Sequence, residues 1–305
     1  MDLIRPNTKI DFVKMMKPAA LISLLAILIS LGSLIYHKGP EWGVEFTGGT
    51  EIQIKLAKDI SADDIRDVLE EAGYPTDMVQ RVGIEGDREY LIRFSSDVVQ
   101  FERIQDFQKS LEGLVQSNPV FEGGTILRVD YIGPNVGSEL VTKAILAILL
   151  GCVGIMIYVM MRFEFAFALG AVIALFHDAF IALGALSLTD KDFTLTIVAA
   201  ILTIIGYSVN DTIIIFDRVR ENLKKGVAGS FTDIVNLSIN QTLSRTVFTN
   251  LTVFLVLIPL FFFGGSVIHD FAFVMIVGCV AGSYSTIFIA SAIVIWWRKW
   301  KGLPV

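Results

Sequence analysis

Long apolar segments restrict the fold of this sequence more than any other feature. About 20 apolar residues are needed to cross the hydrocarbon core of a bilayer. Segments of that kind lie at 18–36, 138–161, 165–188, 193–216, 246–266 and 271–296. Because lipid offers the backbone no hydrogen-bond partners, we expect each segment to be a helix. The sequence therefore predicts an α-helical membrane protein with six transmembrane helices.

The composition places one soluble block within this membrane protein. The 305 residues are 53% hydrophobic and only 18% charged, against about 25% charged in ordinary soluble domains. Residues 37–137 hold 19 acidic and 10 basic residues, whereas the rest of the chain holds 12 and 15. We therefore expect 37–137 to form a separate domain, inserted between the first span and the membrane region 138–296.

Basic residues are distributed unequally between the two sides of the predicted spans. Twelve lie on one side: Arg5, Lys9, Lys14, Lys17, Arg162, Arg218, Arg220, Lys224, Lys225, Arg298, Lys299 and Lys301. The short loops on the other side, 189–192 and 267–270, carry only Lys191. The positive-inside rule then predicts that both termini, 1–17 and 297–305, are cytoplasmic and that the inserted domain is outside.

One substantial loop, 217–245, is expected on the cytoplasmic side. It begins with Asp217 and Arg218, which we interpret as a solvated helix end at the membrane edge. It ends in a weakly amphipathic run, 231–243. Such a run is typical of a helix that lies in the membrane interface, so we predict an interfacial helix there.

The inserted domain has its own periodicity. Alternation at 51–56, 79–84, 89–94 and 126–132 predicts four strands, and helical spacing at 61–72 and 98–116 predicts two helices. Ser61 is the expected N-cap of the first helix and Gly73 its terminator. The turn 85–88 joins the middle strands. The order β-α-β-β-α-β predicts an α+β ferredoxin-like fold.

Charged residues within the spans are the main functional signal. A charge inside a span is costly, so it usually faces the bundle interior or a water path. His177 and Asp178 lie in the third span, Asn210 and Asp211 in the fourth, and Arg245 begins the fifth. Because Asp211 and Arg245 enter from the same side on consecutive spans, they can face each other. We take these five residues as proton-coupling candidates; the alternative is a static ion pair or a snorkelling Asp211.

His177 and Asp178 also have a structural interpretation. Adjacent helix residues point about 100° apart, which favours polar contacts between helices over one shared proton path. Gly170, Gly184 and Gly206 are expected to permit close helix packing or kinks.

Motifs of soluble enzymes do not occur in the sequence. It has no HExxH, P-loop, GxSxG or Rossmann fingerprint in a strand–helix context. Cys152 and Cys279 form no CxxC or metal-binding pattern. A basic footprint for nucleic acid is also lacking. We therefore expect no enzyme activity, no cofactor, no metal and no nucleic-acid partner.

Several stretches resemble the SecF branch of the SecD/SecF family of bacterial protein-export membrane proteins, within the resistance–nodulation–division (RND) superfamily. They are Gly206-Tyr207-Ser208-Val209-Asn210-Asp211 with its continuation through Asp217-Arg218 to Asn222, Gly43-Val44-Glu45-Phe46-Thr47-Gly48-Gly49, Phe176-His177-Asp178, and Asn240 to Thr246. The likeness follows the chain in order through one span, an outer domain and five more spans. At position 45 many relatives carry Asp where this chain has Glu45.

The resemblance implies an auxiliary subunit of the Sec translocase in the bacterial cytoplasmic (inner) membrane. Its partners would be SecD, the SecYEG translocon, the translocating preprotein and membrane lipid, with protons as the coupling ion. The chain would form one RND-type half, with 37–137 as a periplasmic domain. Asp211 and Arg245 match intramembrane charges implicated in proton transport.

Two other classes of function remain open. One is a proton-driven exporter of small molecules from the same superfamily, although one outer domain and six spans are half the usual set. The other is a non-transporting assembly subunit, which would have no need of intramembrane charges.

Overall fold

The structure is a computed structural model that describes residues 8–83, 86–95, 98 and 104–305. Its first helix, α1 (Phe12–Tyr36), begins six residues before the predicted span. The Asp11 side chain accepts a hydrogen bond from the Lys14 backbone N–H at 3.0 Å, which fixes this earlier start. Predicted features at Arg5, Ile84, Glu85 and Val99 lie outside the described residues.

The inserted domain contains the predicted order of strands and helices. After a short helix, α2 (Val44–Thr47), the elements are β1 (Gly49–Lys55), α3 (Ala62–Glu71), β2 (Met78–Val82), β3 (Glu89–Phe94), α4 (Ile104–Ser117) and β4 (Thr125–Ile132). The strands form an antiparallel sheet in the order β2-β3-β1-β4. Each βαβ pair therefore has another strand between its two strands, as a ferredoxin-like fold requires, and that prediction is confirmed.

Individual residues fix the two ends of α3 and fill the core of the inserted domain. Ser61 Oγ accepts from the Asp64 backbone N–H at 3.1 Å, and Gly73 has a φ of +86° after the helix. Tyr90 is buried, and its hydroxyl accepts from the Ile60 backbone N–H at 3.0 Å. Burial raises the pKa of Tyr90.

Strand β1 differs from the half-buried strand that its alternation predicts. Glu51 and Gln53 are buried along with its apolar residues, whereas Lys55 at its end is exposed. Glu51 Oε2 lies 3.1 Å from Arg93 Nη2, and Gln53 Nε2 donates to Glu89 Oε2 at 2.8 Å. Because both polar side chains are paired across the sheet, burial leaves neither of them without a partner.

The remaining helices are long. They are α5 (Pro134–Arg162), α6 (Phe165–Leu188), α7 (Leu195–Lys224), α8 (Phe231–Phe263), α9 (Gly265–Ser285) and α10 (Ser291–Trp300), the last two joined by a π-helical turn at Thr286–Ala290. Within the described residues, six helical runs are long and apolar enough to cross a membrane, as predicted. The chain is therefore a multi-pass membrane protein.

The segment 217–245 is helical at 231–243, as predicted, but the prediction that this helix is separate from the neighbouring span is wrong. Helix α7 continues to Lys224 and α8 begins at Phe231, so no separate interfacial helix occupies 231–243. Ser230 Oγ accepts from the Asp233 backbone N–H at 3.2 Å and starts α8. Asn222 Nδ2 donates to Ser238 Oγ and Gln241 Oε1, both at 2.9 Å. Polar residues that suggested a loop therefore hold two helices together.

Helix α6 packs against α1, α7, α10 and the π-helical turn. A Cβ at Gly170 would lie 2.7 Å from the Ala290 carbonyl oxygen, and one at Gly184 would overlap Ser30. Both glycines therefore permit close packing, as expected. Gly206 makes no such contact within the described structure, since no atom other than those of its helical neighbours lies within 4 Å of where its Cβ would stand, so its role stays a prediction.

Candidate functional site

Asp178 lies fully buried in the helical bundle and accepts three side-chain hydrogen bonds. Its Oδ1 is 2.9 Å from His177 Nδ1. Its Oδ2 accepts from Ser208 Oγ on α7 at 2.5 Å and from Ser285 Oγ at the end of α9 at 2.8 Å. The carboxyl group therefore joins three helices.

His177 extends the same network to α1. Its Nε2 lies 3.1 Å from Ser23 Oγ, which lies 3.4 Å from the Tyr284 hydroxyl. Tyr284 in turn donates to the Ala19 carbonyl and stacks on the His177 ring. We call this set the polar core: Ser23, His177, Asp178, Ser208, Tyr284 and Ser285.

The contact between His177 and Asp178 corrects one sequence argument. Their Cα–Cβ bonds leave the helix about 100° apart. The ring and the carboxylate nevertheless meet beside the helix and share one hydrogen-bond network. The geometry matches the predicted polar contacts between helices. Sequence reasoning missed the serines and Tyr284, although polar residues in apolar spans usually face the bundle interior.

The Ser23 hydroxyl has two polar neighbours in the polar core. It lies 3.1 Å from His177 Nε2 and 3.4 Å from the Tyr284 oxygen. Because the Tyr284 hydroxyl donates to the Ala19 carbonyl, its oxygen can accept from Ser23.

Asp211 is also buried, but it lacks the hydrogen bonds that Asp178 accepts. It is 2% exposed, and neither carboxylate oxygen has a hydrogen-bond partner among the described residues. The nearby groups of α8 that act on it electrostatically are Asn250 and Arg245. Asn250 itself accepts from the Tyr207 hydroxyl at 3.2 Å. Buried carboxyl groups without hydrogen bonds are rare in native structures and occur mainly at functional sites.

Arg245 does not form the predicted face-to-face pair with Asp211. Its side chain is exposed, and the described residues contain no ion pair between the two. Thr242, Thr246 and Asn250 are buried at a spacing of four residues and form the inner face of α8. Arg245 is one residue before Thr246, so it points about 100° away from that face.

Asn210 lies on an exposed strip of α7. Ala199, Thr203, Gly206 and Asn210 recur at helical spacing, and all four are exposed. We call these four positions the open strip. Asn210 thus points away from the bundle interior that its neighbour Asp211 faces.

Asp217 and Arg218 link helices at one end of the bundle. Asp217 Oδ2 lies 3.0 Å from Arg162 Nη2 on α5, and Arg218 Nε donates to Gln241 Oε1 on α8 at 2.6 Å. Both side chains are partly exposed, which agrees with the predicted solvated helix end. Their contacts with other helices were not predicted. Within the described ranges, no group of three or more His, Cys, Asp or Glu side chains could hold a metal ion.

The stretch 43–49 is a turn that leads into β1. Gly43 precedes α2, which holds Glu45 in its first turn and buries Phe46. Gly48 and Gly49 have φ angles of +74° and +119°, which L side chains rarely adopt. A Cβ at Gly49 would also lie 2.5 Å from the Phe94 carbonyl oxygen. The backbone itself therefore requires glycine at both positions.

Comparison with known sequences identifies relatives along the whole chain. The family described as protein export membrane protein SecD/SecF, C-terminal, matches residues 116–300, and the SecD/SecF GG motif matches 33–60. The chain is 42% identical over 298 residues to protein translocase subunit SecF of Calditerrivibrio nitroreducens, covering 96% of both chains. It is 38% identical to SecF of Endomicrobium trichonymphae, covering 96% of this chain and 92% of that one.

Solved structures show the same likeness. The crystal structure of SecDF, a translocon-associated membrane protein from Thermus thermophilus, has a TM-score of 0.85 and 34% identity. A second SecDF structure, in a form described as super-membrane-facing, has a TM-score of 0.68. These matches cover 97% and 99% of this chain but only 40% of each SecDF chain. Sequence and fold together show that the chain belongs to the SecF branch of the SecD/SecF family of protein-export membrane proteins.

Proposed function

We propose that this chain is an auxiliary subunit of the Sec protein translocase. It acts with SecD, beside the SecYEG translocon, to promote export of preproteins driven by the proton-motive force. The relatives named protein translocase subunit SecF, which match 96% and 92% of their own length, support this assignment. The likeness to SecDF structures supports SecD as the partner.

The observation that carries the coupling role is the state of Asp211. Its oxygens have no hydrogen-bond partner among the described residues, burial opposes a charge on the carboxyl group, and a guanidinium brought close would favour that charge. Arg245 lies one residue away from the inner face of α8, so a rotation of α8 by about 100° would turn its guanidinium inward. Proton binding at Asp211 would thereby be linked to the position of α8.

The open strip supports docking of a partner bundle. Transmembrane helices associate through small side chains that allow close approach and through polar side chains that bond across the contact. Ala199, Thr203, Gly206 and Asn210 have both properties and are exposed. SecD is the partner we assign to this side of α7.

The basic residues support an orientation with both termini in the cytoplasm of a bacterial cell and the inserted domain in the periplasm. A cysteine introduced at Asp87 should then react with an impermeant reagent added outside the cell. A cysteine at Lys225 should not react, and the reverse pattern would refute this orientation.

Asp211→Asn tests the coupling role, because it removes the proton site while keeping the shape of the side chain. In vesicles that contain SecYEG, SecD and this chain, gradient-stimulated preprotein export should fall by about tenfold or more. Arg245→Met should have a similar effect. Asp217→Asn is the matched control, since Asp217 lies on the same helix in a partly exposed ion pair.

Vesicle experiments of this kind also distinguish the two other classes of function. A non-transporting assembly subunit would give equal gradient-driven export with Asp211 and with Asn at that position. A small-molecule exporter would expel dye under a gradient in vesicles that lack SecYEG. Either result would overturn the proposal.

A further inference from the structure

A cavity of about 290 Å³ lies at the end of the bundle near Arg162, away from the polar core and from Asp211. It is lined by residues from the ends of α5, α7 and α10 and from the start of α6. The lining residues include Met161, Arg162, Glu164, Phe167, Arg220 and Arg298. Three arginines from three helices thus line one cavity, and Glu164 is the one acidic residue among its described lining residues.

The guanidinium groups retain donors for a ligand. In the described part of the chain, Arg162 uses one Nη on Asp217, and Arg220 uses one on the Arg162 carbonyl at 3.1 Å. Arg298 stacks on Phe231 at 4.2 Å, and its buried Nε has no hydrogen-bond partner among the described residues. Each guanidinium has five N–H donors, so the cavity wall is rich in donors and poor in acceptors.

The start of α6 adds to this positive wall. Its N-cap residue, Glu164, makes no side-chain capping hydrogen bond. The Glu164 carbonyl accepts from Phe167 and Ala168, which leaves the backbone N–H groups of Phe165 and Ala166 for another acceptor. A helix start with free N–H groups favours anions, and here three arginines favour them as well.

Apolar surface beside the cavity indicates the kind of anion. Met161 is 85% exposed and Phe165 is 57% exposed, and both belong to helices that span the membrane. The Phe165 ring lies 5.1 Å from that of Trp297, and Lys301 lies over the Trp297 ring. Tryptophan and basic residues together mark the level of the lipid headgroups.

We propose that this cavity binds the headgroup phosphate of an anionic phospholipid. The phosphate oxygens accept from Arg162, Arg220 and Arg298 and from the first N–H groups of α6, while the acyl chains lie on Met161 and Phe165. Arginine suits this role because its planar group can donate two parallel hydrogen bonds to one phosphate. This site goes beyond the proposed role in export and does not depend on it.

The test measures lipid binding to the full-length chain in detergent by native mass spectrometry and by thermal stabilisation. The probes are phosphatidylglycerol, phosphatidylcholine and inorganic phosphate. Phosphatidylglycerol should bind and stabilise, phosphatidylcholine should do so much less, and phosphate alone should have no effect at millimolar concentration. Arg298→Gln should weaken phosphatidylglycerol binding about tenfold, as loss of a charge-assisted contact predicts. Lys299→Gln, the matched control, should change it less than about twofold.

Glu164→Gln keeps the test decisive even if Arg298→Gln folds poorly. Removal of the Glu164 carboxylate from the cavity wall should strengthen phosphatidylglycerol binding several-fold, a gain that a misfolded protein cannot show. Equal binding by Arg298→Gln and Lys299→Gln, or equal binding of both lipids, would refute the site. Stabilisation by inorganic phosphate as strong as by phosphatidylglycerol would refute the lipid as its ligand.

Discussion

Two buried carboxyl groups on neighbouring helices have opposite surroundings. Asp178 on α6 accepts hydrogen bonds from His177, Ser208 and Ser285. Asp211 on α7 is almost as deeply buried and has no hydrogen-bond partner in the described structure. Burial is therefore a poor guide to role, because hydrogen-bond donors decide whether a buried charge is held in place or left free to change.

Glycines on the same two helices differ in the same way. Gly184 on α6 lies directly against Ser30, whereas a side chain at Gly206 on α7 would meet open space. At Gly184, helix α6 is thus packed closely by a neighbouring helix of this chain. Helix α7 exposes the open strip, whose small and polar residues are of the kind that lets transmembrane helices approach closely.

Replacement of each carboxyl group by leucine should give the largest contrast between the two regions. Asp178→Leu removes the acceptor shared by three buried side chains, which should lower the free energy of unfolding by about 3 kcal/mol. Asp211→Leu removes a group without bonds and should change it by less than about 1 kcal/mol. Thermal unfolding of the purified chain in detergent measures both.

An equal loss of stability in the two leucine variants would refute the difference between Asp178 and Asp211. It would mean that Asp211 has partners of similar strength to those of Asp178. Asp178→Asn gives a finer measure, because an amide keeps two of the hydrogen-bonding positions and should cost less than leucine.

Alanine at the two glycines should give the next largest contrast. Gly184→Ala forces a methyl group into Ser30 and should cost about 1–3 kcal/mol. Gly206→Ala adds a methyl group on an open face and, by helix propensity, should stabilise the isolated chain by up to about 1 kcal/mol. The same Gly206→Ala chain should bind SecD less well in a co-purification assay, because the added methyl group obstructs close helix approach.

Two serines on α9 provide the smallest contrast. Ser285→Ala removes one hydrogen bond to Asp178 and should cost about 0.6 kcal/mol, the average for hydrogen bonds between membrane helices. Ser283 donates only to the Cys279 carbonyl, one turn earlier on its own helix. Ser283→Ala should therefore change the melting temperature less than Ser285→Ala does, and the opposite order would show that the polar core contributes little to stability.

Much of the architecture is predictable from the sequence, because spans and strands depend on local patterns. The six apolar segments and the β-α-β-β-α-β order of the inserted domain are confirmed in the described structure. The extension of α8 back to Phe231 was not predictable in this way. Its first turns contain polar residues that bond to Asn222, and hydropathy cannot show that two polar residues will satisfy each other.

The candidate site shows the same limit. The sequence singles out both Asp178 and Asp211, since each is an acidic residue in an apolar span, but it does not show which donors reach each of them. Their difference depends on which serines of other helices reach them, and Ser285 is more than 100 residues from Asp178 along the chain. The outward direction of Arg245 depends in turn on which face of α8 is buried, and that is decided by packing against α7.

The π-helical turn at Thr286–Ala290 sets the angular register of the last helix. Ser291 Oγ donates to the Thr286 carbonyl at 3.1 Å and so occupies an acceptor in this widened turn. A π turn behaves like one extra residue in an α-helix, so every position after it is rotated by about 100° relative to those before it. One residue of chain length thus sets the angle between Ser285, which donates to Asp178, and Arg298, which lines the cavity thirteen positions later.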